Sequence, residues 1–131
     1  MPMNPSEEKY DLVIVKDLVK YFPIRAGVLQ RVKAHVQAVD KVSFSVKEGE
    51  TLGMVGESGC GKTTVGRAIL RLIEPTSGSV FINGEDIVQM RSQSLKQARR
   101  NMQMIFQDPY ASLNPRLPIG ESVMEGLHIH S

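Results

Sequence analysis

The chain has 131 residues, 41% of them hydrophobic, which is enough for the core of one domain though slightly below the usual apolar share. Sixteen Lys and Arg against fourteen Asp and Glu leave a formal charge of +2. That balance argues neither for nor against nucleic acid, and with no strongly basic stripe no nucleic-acid partner is expected. A single Cys60 excludes an internal disulfide, and the absence of a secretory signal or of an apolar run near about 18 residues points to a cytoplasmic chain that does not span a membrane.

In chain order, Met1 to Lys9 is polar and proline-bearing, so residues 1–10 are expected to form a flexible terminus. Asp11 to Phe22 (DLVIVKDLVKYF) is rich in valine and predicts a strand followed by a turn. Pro23 to Lys33 reads as a loop, and His35 just after it is also expected in a loop. Val36 to Val46 then alternates, placing Val42, Phe44 and Val46 on one face and Ser43 and Ser45 on the other, the pattern of a one-sided antiparallel strand. A turn at Lys47 to Glu50 leads into Thr51 to Val55 (TLGMV), a short apolar run suited to a buried strand.

The next stretch carries the chemistry. Gly56, Gly59, Gly61, Lys62 and Thr63 fit G-x-x-x-x-G-K-[ST], the spacing of a phosphate-binding loop. Its glycines allow backbone conformations closed to other residues, so that successive N–H groups of Gly56, Glu57, Ser58, Gly59, Cys60 and Gly61 can converge on one anion. The helix beginning near Lys62 adds its unpaired N–H groups and the positive end of its dipole. Lys62 would reach the β- and γ-phosphates, the Thr63 hydroxyl would ligate Mg²⁺, and Thr64 would donate on the α-phosphate side. Cys60 has no base beside it in the sequence and reads as a loop residue used for its N–H rather than as a nucleophile.

Val65, Ala68, Ile69 and Leu72 recur at i, i+3, i+4 and i+7, a helix that Pro75 is expected to stop. Ser79 to Ile82 predicts a strand, and Asn83-Gly84 a tight turn. Ser92 or Ser94 is expected to cap a helix running to about Arg100, and its cations Arg91, Lys96, Arg99 and Arg100 read as a solvated face before a polyanion site. Met102 to Phe106 predicts a strand ending at Gln107. Pro109 and Pro115 are expected to hold Gln107 to Pro118 extended, and a helical pattern starts at Ile119.

Beyond the phosphate loop, the succession Lys20-Tyr21-Phe22, Ala38 to Phe44 (AVDKVSF), Glu48-Gly49-Glu50, GESGCGKTT, Glu74 to Gly78 (EPTSG) and FQDP resembles the nucleotide-binding subunit of an ABC transporter. Gln107 to Arg116 (QDPYASLNPR) is similar to the branch serving dipeptide, oligopeptide and nickel importers. The resemblance implies an α/β fold: the N-terminal part of a P-loop NTPase domain, a mixed sheet with an antiparallel subdomain beside the P-loop strand and helix. It also implies that Phe22, with Tyr21 as the neighbouring candidate, stacks on adenine, and that Gln107 ligates Mg²⁺ and orients the attacking water. The implied cofactors are ATP and Mg²⁺. Asp108 to Arg116 would face membrane permease subunits, a second ATP-binding subunit would complete a dimer, and the protein would sit on the inner face of the cell membrane, where ATP hydrolysis powers import of peptides or a related solute.

Other parts of that machine are not in the sequence. No apolar run ends in Asp-Glu, no LSGGQ-like signature occurs, and His128 and His130 cannot be the switch histidine, which should follow such a strand. Residues 11–131 therefore resemble a truncated cassette domain, and a nucleotide-binding fragment without turnover stays open as a reading. Another P-loop enzyme is the remaining alternative; a GTPase would need an Asn-Lys-x-Asp guanine reader, and none is present.

Overall fold

The computed structural model describes residues 10–28, 31–108, 110 and 112–130, so most of the expected flexible terminus, and Pro109, lie outside the described residues. They fall into two compact units, Met1–Gln89 and Met90–Ser131.

The first unit is built on a long antiparallel hairpin, β1 (Asp11–Ala26) with β2 (Arg31–Lys47). Most of the expected loop from Pro23 to Lys33 is strand, since β1 runs to Ala26 and β2 starts at Arg31, and Pro23 pairs with His35 inside the ladder. A proline is tolerated there because the pairing of β1 with the third strand ends at Val19, so on that side no neighbour requires its missing N–H. His35 is thus a strand residue, which corrects its placement in a loop. The alternation over Val42 to Val46 is realised, with Val42, Phe44 and Val46 half-buried and Ser43 and Ser45 exposed.

A four-stranded sheet in the order β2-β1-β3-β4 follows, with β3 at Ser77–Ile82 and β4 at Glu85–Asp86, every pairing antiparallel. Asn83 (φ 51°) and Gly84 (φ 79°) both take left-handed backbone, the type I′ turn that suits the twist of a two-residue hairpin. A bulge at Asp17 (φ 46°) shifts the register, so the consecutive residues Leu18 and Val19 are both buried; the Asp17 N–H bonds the Ser43 hydroxyl at 2.7 Å instead of a ladder partner. Val15, Leu18, Val19, Val39, Val80 and Ile87 form the core of the sheet, covered by Val65 and Ala68.

Those last two belong to α1 (Lys62–Ile69). The helix ends earlier than Pro75: the Leu72 N–H bonds the Arg67 carbonyl at 2.8 Å and the Arg71 N–H the Ala68 carbonyl at 3.0 Å, the 6→1 and 5→2 pair of a Schellman termination. Arg71 takes the left-handed position usually given to glycine (φ 51°). Its guanidinium holds it there, with Nε donating to both Glu74 carboxylate oxygens (2.9 and 3.0 Å) and a terminal nitrogen to the Ile87 carbonyl at 3.2 Å. Leu72 consequently lies outside the helix and is exposed.

The Thr51 to Val55 run is not a buried strand. Among the described residues nothing pairs with it, and Val55 is 93% exposed. A buried parallel strand needs a hydrogen-bonded neighbour to satisfy its backbone and a second layer to cover its side chains; this segment has neither here. Among the described residues the antiparallel part of the expected fold is therefore present and no parallel pairing is.

In the second unit α2 (Ser92–Ala98) is capped by the backbone of Arg91, with no side-chain cap from Ser92 or Ser94, and a 3₁₀ turn at Arg99–Asn101 follows. Met102 is extended (φ −141°, ψ 139°), but Met102 to Phe106 joins no ladder and Ile105 is 92% exposed, a second correction of the same physical kind. The stretch expected to be extended after Gln107 is a run of turns: Asp108 Oδ1 accepts from the Tyr110 N–H and Asn114 Oδ1 from the Arg116 N–H, each at 3.0 Å. α3 spans Ile119–His130, with Ile119, Val123 and Leu127 exposed at helical spacing.

Candidate functional site

The candidate site lies in the first unit, where the loop from Gly56 enters α1. Gly59 (φ 82°) and Gly61 (φ 94°) take left-handed backbone, and Gly61 is the N-cap of the helix. A Cβ on Gly61 would strike the Ala38 carbonyl oxygen, so the close approach of the loop to β2 requires glycine there. A Cβ on Gly56 would meet Cys60 Sγ, whereas Gly59 has open space around it. The Cys60 N–H turns back to the Glu57 carbonyl (3.3 Å), and the Val65 N–H makes the first helical bond to Gly61 (2.9 Å).

No side chain caps α1 and no acidic residue sits in its first turn. The N–H groups of Lys62, Thr63 and Thr64 precede the first intrahelical bond, and with the helix dipole they make an anion-attracting end. Thr63 is exposed and Thr64 half-buried. Residues 56–60 are all exposed, so a polyphosphate can reach the loop from solvent.

Lys62 is folded back into its own loop. Its ammonium donates to the carbonyl oxygens of Gly56 and of Glu57 (2.7 Å) and to Cys60 Sγ (3.3 Å). The hydrogen bond from Lys62 lowers the Cys60 thiol below the range of an ordinary cysteine, because the nearby positive charge stabilises the thiolate. Nothing in the spacing of the motif signals this inward geometry, although a six-residue loop bristling with carbonyls is a natural acceptor for the one cation that follows it.

The hairpin brings the base-stacking candidates to the same unit. Gly61 packs on Ala38, and next to Ala38 on β2, Val39 pairs with Lys20 and Gln37 with Tyr21; Phe22 follows, paired with Val36. The two aromatics differ in freedom. Tyr21 donates its hydroxyl to Asp40 Oδ1 at 2.8 Å, which raises its phenol above the ordinary tyrosine range, and its N–H bonds the Thr76 hydroxyl at 2.9 Å. Phe22 is 39% exposed, with the Lys20 ammonium 5.0 Å from its ring centroid. Of the pair, Phe22 has a ring available to a ligand.

Gln107 belongs to the second unit and is exposed in a bend after Phe106. The same unit contains a cleft of about 520 Å³ between Arg99, Arg100 and Met102 on one side and Val123 and Leu127 of α3 on the other, a feature that no single one of those segments signals in its sequence. Arg99 is half-buried beside it, so the basic cluster is not uniformly solvated. His128 is exposed on α3. Among the described residues no group of three or more His, Cys, Asp or Glu could hold a metal ion, and no helix is long and apolar enough to cross a membrane.

The profile of the ABC transporter family matches residues 39–129. The chain is 52% identical over 118 residues to the oligopeptide transport ATP-binding protein AppF of Bacillus subtilis (strain 168), covering 89% of this chain and 36% of that protein. It is 54% identical over 117 residues to the glutathione import ATP-binding protein GsiA of Pectobacterium atrosepticum, covering 89% and 19% respectively. Its fold matches the dimeric ATP-binding cassette MJ0796, in a post-hydrolysis state bound to ADP and Pi, with a TM-score of 0.72, 28% identity, and coverage of 91% of this chain and 48% of that one. The chain thus spans about a third or less of these curated relatives.

Proposed function

This chain belongs to the ABC transporter family, and from that premise we propose that it supplies the phosphate and base contacts of an ATP-binding cassette whose ATP hydrolysis drives import of peptides or a related small solute. The observation that carries the reading is the loop from Gly56 to Thr64: two left-handed glycines, a lysine held inside the loop and an uncapped helix start, with residues 56–60 open to solvent. The names of the relatives, oligopeptide transport and glutathione import ATP-binding proteins, support the solute class.

In this reading the phosphate oxygens take over the hydrogen bonds that the Gly56 and Glu57 carbonyls now accept from Lys62. Lys62 moves from neutral acceptors to anionic ones, so that opposite charges face each other and the charge-assisted bonds strengthen. The N–H groups of Gly59 to Thr64 hold the polyphosphate, and Phe22 stacks on the base. The Thr63 hydroxyl is an exposed, hard oxygen donor of the type Mg²⁺ takes and would hold the ion at this loop, where it would supply charge neutralisation at the phosphates; in the second unit the Gln107 amide oxygen is likewise an exposed hard donor. Catalysis in such a site is positioning and charge neutralisation, with little covalent chemistry from the protein.

Hydrolysis belongs to the whole subunit, because the sequence of this chain contains neither the apolar-Asp-Glu strand nor the LSGGQ signature that the resemblance calls for. The turns after Gln107 would contact permease subunits at the inner face of the membrane, and a second ATP-binding subunit would face the phosphate loop. Two substitutions test the assignment in the complete subunit. Lys62→Ala should abolish most Mg·ATP binding, whereas Gln107→Ala should leave binding within about two-fold and reduce turnover at least about ten-fold. Equal loss of binding in both variants contradicts the roles given to them.

A further inference from the structure

We infer that Lys20 is a positioning residue for nucleotide binding: its ammonium holds the Phe22 ring by one face, from a point anchored to the segment after α1, and leaves the other face for the base. The inference rests on the proposal that Phe22 stacks on the adenine.

Lys20 and Phe22 are two residues apart on β1 and share a face of the strand. The Lys20 ammonium lies 5.0 Å from the Phe22 ring centroid and donates to the Glu74 carbonyl at 2.7 Å. Both contacts are made by one nitrogen, so the ring and the Glu74 backbone are coupled through it. Phe22 needs such support. The third strand stops pairing with β1 at Val19↔Ser77, and beyond that point only the two-stranded ribbon remains, with Phe22, Ile24 and Val36 all exposed. On its β3 side the last contacts of β1 are at residues 19 to 21, where Thr76 N–H bonds the Val19 carbonyl (2.8 Å) and Tyr21 N–H bonds the Thr76 hydroxyl (2.9 Å). Lys20 extends that anchorage to the ring.

The anchor also connects the two ends of the site. Glu74 carries the carboxylate that clamps Arg71, the residue closing α1, and α1 opens on the phosphate loop. Gly61 packs on Ala38, and Lys20 is paired with the adjacent Val39. The hairpin ladder thus places the ring relative to the phosphate seat, and Lys20 fixes the ring within it.

A cation on one face of a ring occupies that face and attracts its π density, so a purine has a single, less negative face on which to stack. Fixing the ring beforehand also removes part of the ordering cost of binding. Both effects act on the base and neither on the phosphates. A cation–π contact at an exposed site corresponds to about a two- to five-fold change in affinity.

The test compares Mg·ATP with magnesium tripolyphosphate, which has the phosphates and no base, by calorimetric titration of the full chain and its variants. Lys20→Met, which keeps the stem and removes the charge, should weaken ATP about two- to five-fold and leave tripolyphosphate unchanged, while Lys20→Arg should restore the preference for ATP. Phe22→Ala should abolish that preference, and Lys20→Met should add nothing to it. Unchanged ATP preference in Lys20→Met, or equal weakening of both ligands, overturns the role of Lys20. If Phe22→Ala keeps the wild-type preference, or the wild type binds ATP no better than tripolyphosphate, the stacking assignment itself fails and takes the inference with it.

Discussion

Replacing Gly61 by alanine separates the two reasons for a glycine at the entrance to α1. The backbone at Gly61 has φ 94°, and an added Cβ would run into the Ala38 carbonyl oxygen, a backbone atom of the paired strand β2 that has no rotamer by which to yield. Gly59 provides the internal control, since it has nearly the same backbone (φ 82°) and nothing within 4 Å of the point where a methyl group would stand. Gly59→Ala should therefore cost only the conformational strain, about 1–2 kcal/mol. Gly61→Ala carries the same strain plus an overpacking term of about 1–3 kcal/mol, for a total of about 2–5 kcal/mol. Urea denaturation followed by circular dichroism measures both, as a shift in midpoint at constant slope. Equal costs for the two substitutions would refute the packing of the loop on Ala38, and a neutral Gly61→Ala would refute the backbone geometry as well.

Leu18→Ala removes a side chain with no exposed surface from beside the Asp17 bulge and should destabilise the first unit by about 2–4 kcal/mol in the same assay. At Cys60 the bond from Lys62 favours the thiolate, so the alkylation rate should reach half its maximum at lower pH than for an ordinary thiol. Lys62→Ala should move that midpoint upward, and an unchanged midpoint would mean that the contact is not kept in solution. For Tyr21 the sign is opposite: the Asp40 carboxylate accepts the phenol proton's hydrogen bond and favours the neutral form, so spectroscopic titration should place ionisation above the ordinary tyrosine value, and Asp40→Asn should lower it.

What is legible in the sequence is set by short-range physics. The Asn83-Gly84 turn, the alternation from Val42 to Val46 and the left-handed turns at Gly59 and Gly61 each depend on a few adjacent residues, and each is present as expected. Features that depend on a distant partner are misread or silent. Thr51 to Val55 has the composition of a buried strand, but burial is a property of its neighbours, and no described residue pairs with it. Pro23 looks like the end of β1 because the sequence does not reveal that β3 releases its edge at Val19. The end of α1 is invisible for another reason: Arg71 takes a glycine's conformation and is held in it by Glu74 and Ile87, a compensation without a local signature. The motif alone identifies Lys62 as the cation of the loop, while its inward hydrogen bonds to Gly56 and Glu57 emerge only in three dimensions.

In the proposed function the backbone from Gly56 to Thr64 forms a seat for the phosphates of a nucleotide. Amide nitrogen–proton resonances of the isotopically labelled chain, followed as Mg·ATP is added, report on that seat directly. Large, saturable shifts are expected, confined to Gly59 through Thr64 and to the neighbourhood of Phe22, and all lost in Lys62→Ala. Loop resonances that stay unmoved at saturating nucleotide, or that respond identically when Lys62 is gone, would contradict it.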